Sequence, residues 1–316
     1  MNIIEILSSQ KCIHGNEIGR ILGISEADVH KQINSLKQIG YTIKSSSQGY
    51  KLVKGVSLFN EYEIEAKLKK RLDVCKTIKY YKELSSTQIS VKELAEKGFE
   101  EGVVVVAETQ TSGYGRHKRF WSSNVGGLWF SILLKPSIGL GEASKLALLL
   151  SIVLNITLEK DYGISSRIKW PNDVLVLGKK LAGIIVEISA EQDMIKWVVA
   201  GIGININNSL PEDLENISIT LKSVLKKEVD RAEFMIAFLT NFENLYLNFQ
   251  KIGFKQFLEK YNSEIAYKNK KVSVVNTGRK EIIGVNLGID EEGGLIIKTS
   301  NGIEKIISGT LRQIGE

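Results

Sequence analysis

The sequence predicts an α+β protein in three parts: a small helical unit closed by a hairpin, a mixed domain of strands and helices, and a small β-barrel. Helical periodicity dominates residues 1 to 40, strands and long helices alternate from about residue 79, and residues 267 to 316 are short apolar runs broken by glycine. With 316 residues, 43% hydrophobic and 25% charged, the chain has ordinary globular composition and room for more than one domain. Its formal charge of +6 permits an acidic partner or nucleic acid without demanding either. Two cysteines, Cys12 and Cys75, cannot make a disulfide framework, and His14, His30 and His117 lack metal-ligand spacing. A reduced, cytoplasmic protein is expected. The longest apolar stretch, Leu146 to Leu158, is interrupted by Ser151, Asn155 and Thr157, so neither a signal peptide nor a membrane span is expected.

In the first part, Ile3, Ile4, Ile6 and Leu7 predict one helix, and Ile18, Ile21 and Leu22 a second that stops at Gly23. Ser25 is placed to cap a third, with Ile24 and Val29 as a hydrophobic staple and Val29, Ile33 and Leu36 lining one face up to Gly40. Tyr41 to Lys44 and Tyr50 to Val53 alternate around Ser45 to Gly49, which predicts a hairpin. The whole reads as a winged helix-turn-helix over residues 1–58. Residues 59–78, with the charged run Glu61 to Arg71, read as a partly helical linker.

Residues 79–266 read as one sheet with helices packed on it. Strands are expected at Val103–Ala107, Leu128–Leu134, Arg167–Trp170, Asp173–Val176, Leu181–Ile188 and Trp197–Ile206, and helices at Thr87–Lys97, Glu142–Lys160 and Arg231–Phe249. Residues 267–316 are punctuated by Gly278, Gly288, Gly293, Gly294 and Gly302, which suits a small barrel.

Chemistry concentrates in three segments. In Glu108 to Trp121, ETQTSGYGRHKRFW, Gly113 and Gly115 let the backbone bend closely around a ligand while Arg116, Lys118 and Arg119 supply positive charge. Such a loop suits phosphate; a solvated basic hairpin is the alternative reading. It is not a dinucleotide fingerprint, because Lys118 stands where the third glycine would, and no GxxxxGK[ST] occurs in the chain. Residues 169–173 read KWPND, with Lys180 seven positions later in KLAGI. A turn at Pro171-Asn172 would bring Asp173 and Lys180 together on paired strands, as a site for Mg²⁺ and phosphate or as a surface ion pair.

Together, the glycine- and arginine-rich loop, KWPND and KLAGI, in that order, resemble the biotin protein ligase family. Ser86-Thr87-Gln88 stands where the family has Ser-Thr-Asn, and Gly201-Ile-Gly-Ile-Asn205 resembles its G-x-G-x-N strand end. The resemblance runs through the chain, since bifunctional members carry a winged helix-turn-helix before, and an SH3-like barrel after, a mixed-sheet biotin/lipoate ligase domain like that of class II synthetases. It implies ATP-dependent formation of biotinyl-5'-AMP with Mg²⁺, transfer to a lysine of a biotin carboxyl carrier protein of acetyl-CoA carboxylase, operator binding, repression of biotin genes, and a homodimer when the adenylate is bound. Lys180, Arg116 and Asp173 are the implied catalytic residues, with Asp173 at Mg²⁺. Ser86, Thr87, Gln88, Gln110, Tyr114 and Gly115, with Arg116 and Lys180, are implied at biotin; helix capping is the other reading of residues 86–88. Gly113, Arg119, Trp121, Asn172, Asn205 and Arg312 are implied at the nucleotide. Gln88 and Tyr114 depart from the family's usual Asn and Arg, which bears on biotin affinity more than on reaction type.

An octanoyl transferase would need a cysteine nucleophile, and Cys75 precedes every motif. A lipoate ligase, which lacks KWPND, and a DNA-binding biotin sensor with little transfer activity are the alternatives. In residues 1–55, seven Lys/Arg face four Asp/Glu. Asn16, Ser25, Glu26, His30, Lys31, Asn34, Lys37 and Lys44 are the expected DNA-contacting residues, although Glu26 and Asp28 would oppose phosphate.

Overall fold

The computed structural model describes residues 2–9, 12–38, 41–53, 59–68, 72–192, 194–275 and 281–314. The expected helix stop at Gly40, the barrel glycine Gly278, the charges Lys11 and Lys54, residues 54–58 at the end of the predicted winged unit and residues 69–71 of the predicted linker lie outside the described residues. The chain divides into two compact units, Met1–Arg71 and Leu72–Glu316.

The first unit holds helices α1 (Ile3–Ser9), α2 (Gly15–Leu22) and α3 (Glu26–Gln38), the strands β1 (Ile43–Ser46) and β2 (Gly49–Leu52), and helix α4 (Glu61–Lys67). Gly23 ends α2 in the left-handed region at φ 70°, returning its N–H to the Gly19 carbonyl. A Cβ at Gly19 would stand 2.7 Å from the Ile24 carbonyl, so the absent side chain is what lets the turn into α3 fold so tightly. Ser25 Oγ accepts from the Asp28 N–H at 3.1 Å, the predicted cap. Ile3, Ile4, Ile6 and Leu7 pack with Ile18, Val29, Ile33 and Leu36 in one core. The hairpin turn is tighter than expected: Ser45 and Ser46 belong to β1 and pair with Tyr50 and Gly49, because Gly49 adopts φ 108° and closes the ladder early. Part of the predicted linker is helical, α4, capped by Asn60 from the Glu63 N–H.

The second unit is built on a seven-stranded sheet. In chain order it contains β3 (Thr77–Leu84), α5 (Thr87–Glu96), β4 (Val103–Gln110), β5 (Leu128–Leu134), α6 (Leu140–Ala143), α7 (Leu146–Tyr162), β6 (Arg167–Lys169), β7 (Asp173–Val176), β8 (Lys179–Glu191) and β9 (Met194–Ile204). There follow α8 (Leu221–Leu225), α9 (Arg231–Ile252), α10 (Leu258–Glu264), and β10 (Lys271–Val275), β11 (Ile282–Ile289), β12 (Leu295–Thr299), β13 (Gly302–Ile306) and β14 (Thr310–Gln313). The sheet order is β3-β4-β5-β9-β8-β7-β6; only β3 and β4 run parallel. Strand β3 was not expected: it is an edge strand with one buried residue, so no apolar alternation marks it. The expected helix 142–160 is two helices, broken at Ser144-Lys145, where Ser144 Oγ donates to the Gly141 carbonyl at 2.7 Å.

Helix α7 is apolar nearly all round because it lies within the fold, against α9 and the sheet. Residues 140–162 are long and apolar enough to cross a membrane, but 67% of their apolar 18-residue window is buried inside the protein. Phe130 on β5 meets Phe238 on α9 edge to face at 5.5 Å. The C-terminal strands form an antiparallel sheet in the order β13-β12-β11-β10-β14, with β13 and β14 at its edges.

Glu243 on α9 fixes where the second unit begins. Its carboxylate accepts from the backbone N–H groups of Asp73, Val74 and Cys75 at 3.0, 2.6 and 2.8 Å. Glu243→Ala strands these donors, two of them buried, and is expected to cost about 3 kcal/mol in denaturant unfolding of the second unit; a loss under about 1 kcal/mol would show that water or neighbours replace the carboxylate.

Candidate functional site

A cleft of about 290 Å³ opens on the second unit, lined by the start of α5, the loop between β4 and β5, the β6–β7 turn, the paired strands β8 and β9, and the start of β14. Its floor is made by missing side chains. Gly183 and Gly203 are partners across β8 and β9. A Cβ at Gly203 would stand 2.7 Å from Trp121 Nε1, and one at Gly183 3.0 Å from the same indole. The indole from the loop therefore lies on bare backbone, edge-on to Trp129 at 6.3 Å. Its N–H is buried with no hydrogen-bond partner among the described residues.

Charge is unevenly distributed around this floor. Arg116, Arg119, Lys169 and Lys180 line the cleft with one carboxylate, Asp173. The β6–β7 turn puts Asp173 beside β8, where its Oδ1 meets Lys180 Nζ at 2.8 Å; both side chains are partly exposed. Asn172 holds that turn, giving its side-chain N–H to the Ile184 carbonyl and accepting the Ile184 N–H on its own backbone at 3.0 Å. Lys180 Nζ also sits 4.9 Å from the Trp121 ring. Burial pushes the Lys169 ammonium below its usual range; Asp173 opposes that, and Lys180 and Arg312 add to it. Burial likewise lowers Arg116, against the attraction of Asp173 and with the repulsion of Arg119. These shifts describe a place short of negative charge, which an anion would relieve.

The other end of the cleft is neutral and hydrogen-bonding. Ser86 is the N-cap of α5, but its side chain makes no capping bond; Gln110 Oε1 takes the Thr87 N–H at 2.8 Å instead. The capping that was the alternative reading of residues 86–88 is thus supplied from β4. Gln88, buried, donates to the Val199 carbonyl at 3.0 Å and accepts from Ser131 Oγ at 3.0 Å. Its longer side chain is accommodated by Gly201, where a Cβ would stand 2.5 Å from Gln88 Oε1.

The structure brings Ser86, Thr87, Gln88, Gln110, Tyr114, Gly115, Arg116, Arg119, Trp121, Asn172, Asp173 and Lys180 to this one cleft. Gly113, Asn205 and Arg312 lie outside its lining. Gly113 is in the same loop, pressed against Ser123; Asn205 is buried just past β9 and accepts from Asn208; Arg312 is exposed on β14. Sequence reasoning missed Lys169, Ser131 and the segment Leu214 to Ser218. Two of these left a trace: Ser131 is the one polar residue in the strand LWFSILL, and Lys169 opens the KWPND segment although no role was assigned to it. The 214–218 segment reaches the site by pairing with Lys180 at its backbone, which no local pattern announces.

Against this geometry, comparisons with known proteins are decisive. The Biotin/lipoate A/B protein ligase family matches residues 80–205, an HTH domain residues 1–51, and the Biotin protein ligase C terminal domain residues 269–310. The bifunctional ligase/repressor BirA of Bacillus subtilis is 36% identical over 320 aligned positions, covering 98% of this chain and 97% of its own. The chain belongs to the biotin protein ligase family, of the bifunctional ligase/repressor type. BirA of Escherichia coli is 28% identical over 98% of this family member. The biotin protein ligase of Aquifex aeolicus, solved with biotin and ATP, superposes with a TM-score of 0.67 at 34% identity, covering 76% of this chain and all of that one.

In the first unit, Asn16, Ser25, Glu26, His30, Lys31, Asn34, Lys37 and Lys44 are all exposed, while Val29, Ile33 and Leu36 are buried on the opposite face of α3. Two of them are tied to the hairpin: His30 Nδ1 lies 2.9 Å from the Tyr50 hydroxyl, and Lys37 donates to Ser45 Oγ at 3.0 Å.

Gly203→Ala places a methyl into the Trp121 indole and is expected to cost about 1–3 kcal/mol of stability while displacing the ring from the cleft floor. Denaturant unfolding with tryptophan fluorescence reads both effects, and an unchanged profile would mean that the indole is not packed there.

Proposed function

We propose that this chain is an ATP-dependent ligase that joins biotin to AMP and passes it to a lysine of a biotin carboxyl carrier protein, and that its first unit represses biotin genes by binding operator DNA. The observation that carries the ligase reading is the cleft itself, with four cations against one carboxylate at one end and a buried hydrogen-bonding cluster at the other. Biotin's ureido ring suits Ser86, Thr87, Gln88 and Gln110, with Tyr114 and Gly115 over it. Its carboxylate then points toward Arg116 and Lys180, and Gly113, Arg119, Trp121, Asn172, Asn205 and Arg312 serve the nucleotide.

In the first step a carboxylate oxygen attacks the α-phosphorus of ATP, the bond to the β-phosphate oxygen breaks, and pyrophosphate leaves. Two anions must meet, and Lys180 and Arg116 offset their repulsion in a cleft partly withdrawn from water. No group of three or more His, Cys, Asp or Glu among the described residues is placed to hold a metal. Asp173 nevertheless fits Mg²⁺ in its usual nucleotide mode, one carboxylate with substrate phosphates, and there the ion would neutralise phosphate charge. In the second step a lysine amine of the acceptor attacks the acyl carbon, loses a proton, and AMP departs.

The β1–β2 hairpin following α3 supports a winged helix-turn-helix, and the antiparallel order of β10 to β14 supports an SH3-like barrel. We place the domain limits at 1–58, 59–78, 79–266 and 267–316, the protein in the cytoplasm where ATP is supplied, and a homodimer when the adenylate is bound. Biotin, Mg²⁺-ATP and a biotin carboxyl carrier domain should yield biotinylated acceptor, and competition with lipoate in the first step separates the lipoate ligase reading; no product with active controls would end the proposal.

Lys180→Ala is expected to slow adenylation on the order of 10²-fold or more in pyrophosphate exchange. Arg116→Gly should instead release the adenylate to solvent; tight retention would count against its role. Operator affinity should fall steeply with salt, and Lys31→Ala should reduce the slope of log K against log salt by about 1.

A further inference from the structure

The loop that covers the cleft is fastened by residues outside it. Tyr114, between the two loop glycines, donates its hydroxyl to Glu187 Oε2 on β8 at 2.9 Å. Lys92 on α5 donates to Glu187 Oε1 at 2.6 Å and to the Tyr114 oxygen at 3.2 Å, closing a three-membered ring of contacts. Lys118, from the far side of the same loop, stands 4.0 Å above the Tyr114 ring and 3.9 Å from Glu187 Oε1. Lys92, Glu187 and Lys118 do not line the cleft, whereas Tyr114, Arg116 and Arg119 do. The Lys92 and Glu187 side chains are each only 27% exposed, which favours a persistent pair over a surface one. Burial opposes ionisation of both, yet the hydrogen bonds prevail, holding Glu187 below and Lys92 above their usual ranges.

The loop needs such a hold. His117 and Lys118 are consecutive non-glycine residues at φ 57°, a backbone that L-residues adopt at a cost and that must be imposed by contacts elsewhere. Backbone bonds fasten it at its start, where the Thr111 and Ser112 N–H groups donate to the Leu84 and Ser85 carbonyls at 3.0 and 2.9 Å, and within it are the Gly115 N–H to the Arg119 carbonyl at 2.8 Å, the Trp121 N–H to the Gly113 carbonyl at 2.9 Å and the Arg119 N–H to the Arg116 carbonyl at 3.3 Å. Arg116 donates to the Gly309 carbonyl at 3.3 Å, near the upper limit for such a bond. At the tip of the loop, the charge-assisted side-chain tether is the one from Tyr114 to Glu187.

We propose that Glu187 and Lys92 form a latch that holds residues 111–121 folded over the cleft through Tyr114, and that these positioning residues set how long the acyl adenylate is retained. The retention part rests on the ligase reading above; the fastening part does not. Glu187→Gln removes the charge that orders both donors while keeping the shape, and Tyr114→Phe removes only the hydroxyl.

The full chain and both variants are treated with trypsin, without ligand, and cuts after Arg116, Lys118 and Arg119 are followed by mass spectrometry. Both variants should be cut in the loop about tenfold faster than the parent, the scale of one hydrogen bond to a charged group. The double variant should be cut no faster than the faster single one, because the groups act as a unit. Melting temperature serves as the control for global unfolding, and Lys92→Gln replaces Glu187→Gln should that variant not fold. Next, parent and Glu187→Gln protein are charged with biotin and Mg²⁺-ATP and freed of excess. Glu187→Gln should release the adenylate about tenfold faster while forming it within about threefold of the parent rate at saturating substrates. Cleavage within twofold of the parent in both variants would overturn the latch, and faster cleavage with unchanged release would overturn its hold on the intermediate. If the parent forms no adenylate, the ligase reading fails, and the cleavage result alone decides the latch.

Discussion

Asp173 is the counter-charge on which the site depends. Lys180 meets it at 2.8 Å, and Arg116 and Lys169 both feel its attraction against the cost of their own burial. Without it, four cations around a small cleft would repel one another. With it, the cluster is tolerable yet still short of negative charge, the condition in which anionic ligands bind most favourably. The strand turn at Pro171-Asn172 exists in this sense to place one carboxylate, and Asn172 fixes the turn by bonding both ways to Ile184.

The neighbouring polar cluster obeys a different rule. Buried amides and hydroxyls must be paired, and here they are paired with one another across three elements: Thr87 and Gln88 on α5, Gln110 on β4 and Ser131 on β5. Such a network holds its members in fixed rotamers at the edge of the cleft. Gly201, Gly183 and Gly203 make the rest possible, since each gives up a side chain so that Gln88 or Trp121 can approach the sheet.

Much of this was legible in the sequence. The helix-turn-helix showed because Gly23, Ser25 and the buried trio Val29, Ile33 and Leu36 sit at local spacings with local causes. Strands β5 and β7 showed in full because each is a short run bounded by turn residues. Strand β3 did not, because an edge strand with polar residues on most positions lacks the alternation that burial imposes. Nor did the break at Ser144-Lys145, where both flanking segments are helical by composition.

The sequence by itself determined the order of the elements, the family, and the residue types that meet at the cleft, because motif spacing and periodicity are properties of neighbours along the chain. Only the tertiary structure decided that Lys169 and Ser131 belong to the site, that Gln110 rather than a side chain of residues 86–88 caps α5, and that Tyr114 is tied to Glu187. The two hydrogen bonds join residues 23 and 73 positions apart and depend on which strands the sheet places side by side. Register is fixed by the packing of the whole core, so no local stretch of sequence carries it.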